Sequence, residues 1–374
     1  MALRRAFGPA WTALRQAAPG LALAIALATL ARVLAQALAA GVGGLPKFPL
    51  SPVMCAVLLG MLWRNSVGVP AWATSGLAWT MHRLLRVGIA LVGLRLTLAG
   101  ATAIALTALP VAISCLTVAL IAGVAIARAL AVPRRLALLL AVGTAVCGCT
   151  AVVAMSPVIR ARHAETAFAV TCVVLFGCIA MLCYPSVAGH FLAASPTHAG
   201  IFLGTAIHDT SQVIGAALIY SQQAAAPAAL AAASVAKLLR NLSIAILLPA
   251  AAWWTQRQEE RAGESPPPET LETPAARAPL VPFFVLAFIG FILVRTAGDA
   301  LAGHASTLWP ALINTGYTAS DLFLTCGMTA VGLSVSFTDM WRIGWRPLLS
   351  GFMVATLVGS CSLLLTCTLA HFLT

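Results

Sequence analysis

Apolar blocks recur along this chain, each near the length a helix needs to cross a hydrocarbon core of roughly 30 Å, about 20 residues. They fall at approximately 21–40, 49–63, 84–100, 102–127, 135–158, 165–187, 199–220, 228–254, 280–297, 317–338 and 347–373. Inside lipid every backbone N–H and C=O must find an internal partner, which Ala/Leu/Val-rich blocks achieve as helices rather than as barrel strands. Charged residues make up only 9% of the chain, too few to cover a water-soluble surface. The expected class is an all-α polytopic membrane protein with about eleven spanning helices, one extra at the N-terminus.

The net charge of +12 excludes little by itself, but its distribution argues against nucleic acid. Lys and Arg sit mostly in short segments between apolar blocks, as anchors on the cytoplasmic side of a bilayer do. A cytoplasmic N-terminus puts Arg4, Arg5, Arg15, Arg64, Arg83, Arg86, Arg128, Arg134, Arg135, Arg342 and Arg346 inside. Lys47, Arg95, Arg160, Arg162 and Arg295 then fall outside, with a periplasmic C-terminus. The pair Arg160/Arg162 fits that scheme poorly, and a fifth helix that is broken and does not cross normally would explain it. The apolar run behind Arg4 and Arg5 is too long for a signal peptide and reads as a retained first helix in a bacterial inner membrane. Ten cysteines form no C-x-x-C pair, so no zinc or thioredoxin motif is indicated, and no metal site is expected.

Gln256 to Arg277 is rich in Glu, Pro and Arg and reads as a solvated cytoplasmic linker, 256–278. Helices five apart share short echoes: Leu59-Gly60 with Leu203-Gly204, Leu84-Leu85-Arg86 with Leu238-Leu239-Arg240, and Gly143–Gly148 with Gly327–Gly332. An odd offset turns the second copy upside down, as in many carriers. The expected organisation is residues 1–45 as N-terminus and extra helix, 46–190 as one five-helix repeat and 198–374 as the second.

Three blocks carry polar groups where an apolar chain can least accommodate them. Helix 5 holds Gly143-Thr-Ala-Val-Cys147-Gly148-Cys149-Thr150, whose glycines and threonines suit either a break with anion-binding helix ends or close packing of small residues. Helix 7 holds His208-Asp209-Thr210-Ser211-Gln212, five polar residues that must face the protein interior or a wet cavity. His208, Asp209 and Gln212 are candidates for coupling a proton or sodium ion, against the alternative of a structural polar cluster. Helix 8 places Lys237 and Arg240 one turn apart beside Asn241, deep in an apolar block. Two buried cations call for acidic partners, an anionic solute, or a register-fixing pair. With Cys147, Gly148, Thr150 and Thr329 of helix 10, they form the candidate anion site.

These stretches, together with Leu85–Arg95 and Gly327–Leu333, resemble the YeiH-type sulfate-exporter family over nearly the whole chain outside the first helix and the linker. Most specific are the His-containing motif and the Lys-x-x-Arg that follows. The resemblance implies a secondary transporter related to cation/proton antiporters and bile-acid symporters, with two inverted five-helix repeats and broken, crossing helices 5 and 10. Cys149-Thr150 stands where relatives often carry Ala and Ser, which leaves the substrate more open than the fold.

The expected function is therefore ion-coupled transport of a small anion, sulfate being one candidate, with no cofactor beyond a coupling proton or sodium ion. The expected partners are the lipid bilayer and a small anionic solute, and a homo-oligomer is compatible with the sequence. An intramembrane enzyme using Cys147 or Cys149 with His208 and Asp209 is the main alternative. A sensor without flux is less suited, since the only soluble segment is a short linker. No phosphate-cradling glycine loop is present for ATP-driven transport.

Overall fold

A computed structural model describes residues 2–40, 50–262, 283–301, 308–336, 338 and 345–373. Lys47, Arg277, Arg342 and residues 263–278 of the expected linker lie outside them, while residues 256–262 continue a helix. The described residues are helical throughout, apart from short turns, and seven helical segments are long and apolar enough to cross a membrane. The chain is an all-α polytopic membrane protein. It packs as two compact units that cut across the sequence halves, Met1–Leu96 with Ala287–Phe337, and Thr97–Leu286 with Thr338–Thr374.

The first unit contains α1 (Ala2–Ala40), α2 (Pro52–Ser66), α3 (Ala71–Trp79), α4 (Leu85–Val92), most of α13 (Phe283–Leu301) and α14 (Leu308–Ser334). A π-helical turn, Thr80–Leu84, joins α3 to α4, so the two form one continuous segment. Small residues let its helices touch backbone to backbone. A Cβ at Gly60 of α2 would lie 2.6 Å from the Thr329 carbonyl of α14, and Gly332 faces the Val57 carbonyl in return. The resemblance implied a break in helix 10, but α14 runs unbroken from Leu308 to Ser334 through the whole Gly327–Gly332 stretch.

The second unit contains α5 (Leu98–Ala129), α6 (Arg134–Ala145), α7 (Cys149–Val158), α8 (His163–Phe191), α9 (Pro196–Ala206), α10 (Thr210–Gln223), α11 (Ala228–Leu242), α12 (Ile244–Ala262) and α15 (Trp345–Leu373). Helix 5 of the sequence is α6 and α7, so of the two readings its glycines allowed, a break or close packing, the chain takes the break. It also reverses. A continuous helix would hold residues 143 and 152 about 13 Å apart along its axis, yet a Cβ at Gly143 would lie 2.7 Å from Val152 Cγ2.

Helix 7, expected to be one crossing helix, is a second helical hairpin made of α9 and α10. Gly200 packs on Ala229 and Ala232, and Gly204 on Ala233 and Ala236, so α9 runs parallel to α11. Asn241 near the end of α11 bonds Thr210 at the start of α10, while a short turn closes their other ends, so α10 runs antiparallel to α11. Therefore α10 doubles back on α9.

The long helix α8 carries the chain between the two hairpins. The first hairpin departs from the end where α8 begins and the second from the end where α8 finishes, so they enter the unit from opposite ends and meet tip to tip. The reversal of α7 also relocates Arg160 and Arg162. Expected on the opposite side from Arg128, Arg134 and Arg135, they share one end of the unit with them, because α6 rises from that end and α7 returns to it.

Candidate functional site

The tips of the two hairpins are Val146-Cys147-Gly148 and Ile207-His208-Asp209, where the regular helical ladder of each pair is interrupted. Breaking a helix strands carbonyls at the end of one half and amides at the start of the next, each costly in a dry interior. Buried side chains from α11 answer the carbonyls. Lys237 Nζ donates to Val146 O at 2.7 Å, to Ile207 O at 3.2 Å and to His208 O. Arg240 Nε donates to Ala145 O at 3.0 Å, Nη2 to Ala145 O at 2.7 Å and to Thr144 O, and Nη1 to Thr205 O and to Ile207 O at 3.3 Å.

All three protons of the ammonium and all five of the guanidinium thus point at backbone oxygen. Lys237 is 0% and Arg240 1% exposed, so water offers them nothing. A buried charge is tolerated when it is hydrogen-bonded and faces opposite charge, and here two helix C-termini supply the negative ends of two dipoles. The pair that resembled an anion receptor in the sequence is geometrically a staple across both tips.

The amide side of each break is different. Asp209 is the N-cap of α10, and its Oδ1 accepts from the Ser211 N–H at 2.9 Å and from the Ser211 hydroxyl. The same carboxylate lies against the start of α7, where Gly148 has φ +64° and a Cβ would fall 2.9 Å from Asp209 Oδ2. Only glycine satisfies both conditions. Gly148 itself offers no side-chain cap to α7. One carboxylate therefore stands between the positive ends of two half-helices. Asp209 is partly accessible and Thr150, one residue into α7, is exposed, so this side of the tips is reachable while the cation side is sealed.

The remaining candidates divide. Asn241 Nδ2 donates to Thr210 Oγ1 at 3.2 Å, which puts it beside Asp209. Gln212, one turn into α10, donates to Val174 O at 3.0 Å and Cys178 Sγ at 3.3 Å, with Gly177 of α8 leaving space for its amide. His208 shares the tip through its carbonyl, but its ring does not join Asp209. It borders a small void with Leu140, Thr144, Cys172, Val173, Phe176 and Gly351, and neither ring nitrogen has a hydrogen-bond partner. No Cys–His pair of the type an activated thiol needs is formed there. Thr329 lies in the first unit, where its hydroxyl bonds back to Thr325 O at 3.1 Å. Arg95 is also in the first unit, paired with Asp321 at 2.8 Å. Among the described residues no cluster of three or more His, Cys, Asp or Glu could hold a metal.

The groups that the sequence does not reveal are the carbonyl acceptors of Thr144, Ala145, Val146, Thr205, Ile207 and His208, which no letter encodes. Ser211 had a signal, since Asp-Thr-Ser is what an N-cap and its first turn look like.

Comparison with known proteins matches residues 19–351 to the family model described as "Conserved hypothetical protein 698". A UPF0324 membrane protein of Ralstonia nicotianae is 32% identical over 80% of this chain and 80% of its own length. One from Bordetella bronchiseptica is 31% identical over 82% and 90%, and one from Oceanobacillus iheyensis 29% over 88% and 91%. No solved structure gives a significant match. With a family model covering most of its residues and a relative 32% identical over four-fifths of both chains, the chain belongs to the UPF0324 membrane protein family.

Proposed function

We propose that this protein is a secondary transporter of a small anion, sulfate being the first candidate, and that the solute binds at the amide side of the paired hairpin tips. The observation that carries this reading is the opposition of two half-depth hairpins around one accessible carboxylate. Each hairpin closes the tips from one end of the unit, which is the arrangement alternating access needs. Non-helical backbone at membrane depth is tolerated where it is buried or lines a cavity, and the Asp209 side of the tips is the accessible one.

In this reading Lys237 and Arg240 are positioning residues that hold both tips, and the solute is met by the amides at the start of α7 and α10 with Thr150, Asn241 and the backbone of Cys147 and Gly148. Asp209 occupies the same positive helix ends in the empty state. An anion contends with that carboxylate, so it binds when Asp209 is neutralised by a proton or a sodium ion, and this competition couples the two fluxes. His208 and Gln212 support the second tip rather than carry the ion. The role of Thr329 is outside this arrangement. Enzyme chemistry gains nothing from the unpartnered His208 ring, and we read the chain as a carrier without cofactor in a bacterial inner membrane.

Proteoliposome flux of radiolabelled sulfate and a panel of small inorganic and carboxylate anions tests the proposal. Wild type should move at least one of them faster when a proton or sodium gradient is imposed. Asp209→Asn should still equilibrate that anion but no longer respond to the gradient. No flux above empty liposomes for any anion, or an unchanged gradient response in Asp209→Asn, would reject the reading.

A further inference from the structure

Every Lys and Arg described in the second unit, apart from the buried Lys237 and Arg240, lies at one end of it. Arg128, Arg134 and Arg135 flank the α5–α6 turn, Arg160 and Arg162 the α7–α8 turn, Arg257 lies on α12, and Arg346 begins α15. All are exposed except Arg135, which is half-buried. At the other end the turns 192–195 and 224–227 carry no charged residue. Two tryptophans share the arginine end, Trp253 at 57% and Trp345 at 65% exposure, and each has a guanidinium over its ring, Arg257 at 4.1 Å and Arg346 at 5.5 Å. Glu165, the acidic side chain described there, accepts from the Arg162 backbone N–H at 2.8 Å and is committed to starting α8.

We propose that this end is a docking surface for the acidic phospholipid headgroups of the cytoplasmic leaflet, gathered around the mouth of the α6–α7 hairpin. Exposed tryptophan at the rim of apolar helices is the chemistry of a headgroup layer, where an amphipathic ring has one dry side and one wet side. Arginine binds phosphate through paired N–H groups, and several together on the cytoplasmic side select acidic lipid over zwitterionic lipid. The four arginines of the two turns bracket both feet of the first hairpin. Bound headgroups therefore brace the feet of α6 and α7 from outside while Lys237 holds their tip from within. Arg160 and Arg162 become cytoplasmic, and the second hairpin opens to the periplasm.

The test uses the full chain in an uncharged detergent. Its thermal midpoint is followed on titration with phosphatidylglycerol, phosphatidylcholine or inorganic phosphate. Phosphatidylglycerol should raise the midpoint by several degrees beyond phosphatidylcholine, and high salt should reduce that difference. The variant Arg134→Gln/Arg135→Gln/Arg160→Gln/Arg162→Gln, read against its own lipid-free midpoint, should bind phosphatidylglycerol more weakly, roughly fivefold per arginine removed. If that variant unfolds on purification, the pair Arg160→Gln/Arg162→Gln replaces it with a proportionally smaller loss. Equal effects of the two lipids, an equal effect of inorganic phosphate, or an undiminished response in the variants would overturn the proposal. An impermeant maleimide should label Arg160→Cys above wild-type background in inverted vesicles, and labelling in intact spheroplasts instead would overturn the assignment to the cytoplasmic leaflet.

Discussion

Gly143–Gly148 and Gly327–Gly332 are nearly the same letters, Gly-Thr-Ala-Val-Cys-Gly and Gly-Met-Thr-Ala-Val-Gly, yet one stretch reverses the chain and the other is ordinary helix. The difference lies in what surrounds them. Around the first, α11 delivers four N–H donors to carbonyls that a break sets free, at Thr144, Ala145 and Val146. Around the second, Leu85 fills the space at Gly327 and the α2 backbone presses on Gly332. Small residues permit a break and permit close packing, and the neighbours decide between them.

The sharpest way to disturb this contrast is to remove the donors. Lys237→Ala leaves the Val146 and His208 carbonyls unanswered while Ile207 keeps Arg240, and at about 1–3 kcal/mol for each buried unsatisfied group it should cost about 2–5 kcal/mol. Size-exclusion profiles and thermal unfolding in detergent should show a loss of folded protein, whereas Lys237→Arg should recover part of it. Full stability in Lys237→Ala would mean that the hairpins hold without the staple.

A smaller loss should follow from a methyl group at either stretch, for different reasons. Gly148→Ala meets both a left-handed backbone and Asp209, and should cost roughly 1–3 kcal/mol. Gly332→Ala meets the Val57 carbonyl with ordinary helical backbone, and its similar cost of roughly 1–3 kcal/mol comes from overpacking alone. The two separate in a rescue: Asp209→Ala should relieve part of the Gly148→Ala defect, while Val57→Ala, which leaves the carbonyl in place, should not relieve Gly332→Ala. The least effect is expected at Thr329→Ala. Its hydroxyl bonds only within α14, so its midpoint should shift by less than about 1 kcal/mol allows.

Much of the architecture is legible in the letters, because hydrophobic blocks and polar interruptions are local properties. Each of the eleven blocks holds helix where it is described, though Leu96-Thr97 interrupts the third and the tips interrupt the fifth and seventh, and the polar residues of helices 5, 7 and 8 do converge. The reversal is not legible. A helical hairpin and a crossing helix of equal length have the same apolar content, and hydropathy records depth in lipid rather than direction. Arg160 and Arg162 were the trace it left, two charges on the wrong side of a simple crossing pattern. The use of Lys237 and Arg240 was hidden for another reason. A sequence displays side chains, so two buried cations invite a search for acidic side chains or ligands, whereas their partners are main-chain oxygens from two separate hairpins. His208 was read with Asp209 because they are adjacent, although adjacent residues at an irregular tip need not face the same way.

The staple also sets an order of assembly. Lys237 lies 91 residues beyond the Val146 carbonyl it answers. A chain threaded into the bilayer from its N-terminus must therefore hold the first hairpin with bare oxygens at its apex until α11 has emerged. During that interval the apex needs borrowed partners, from water in an unfinished vestibule or from the insertion machinery. Ribosome stalling before and after residue 240 should accordingly yield nascent chains of very different protease resistance.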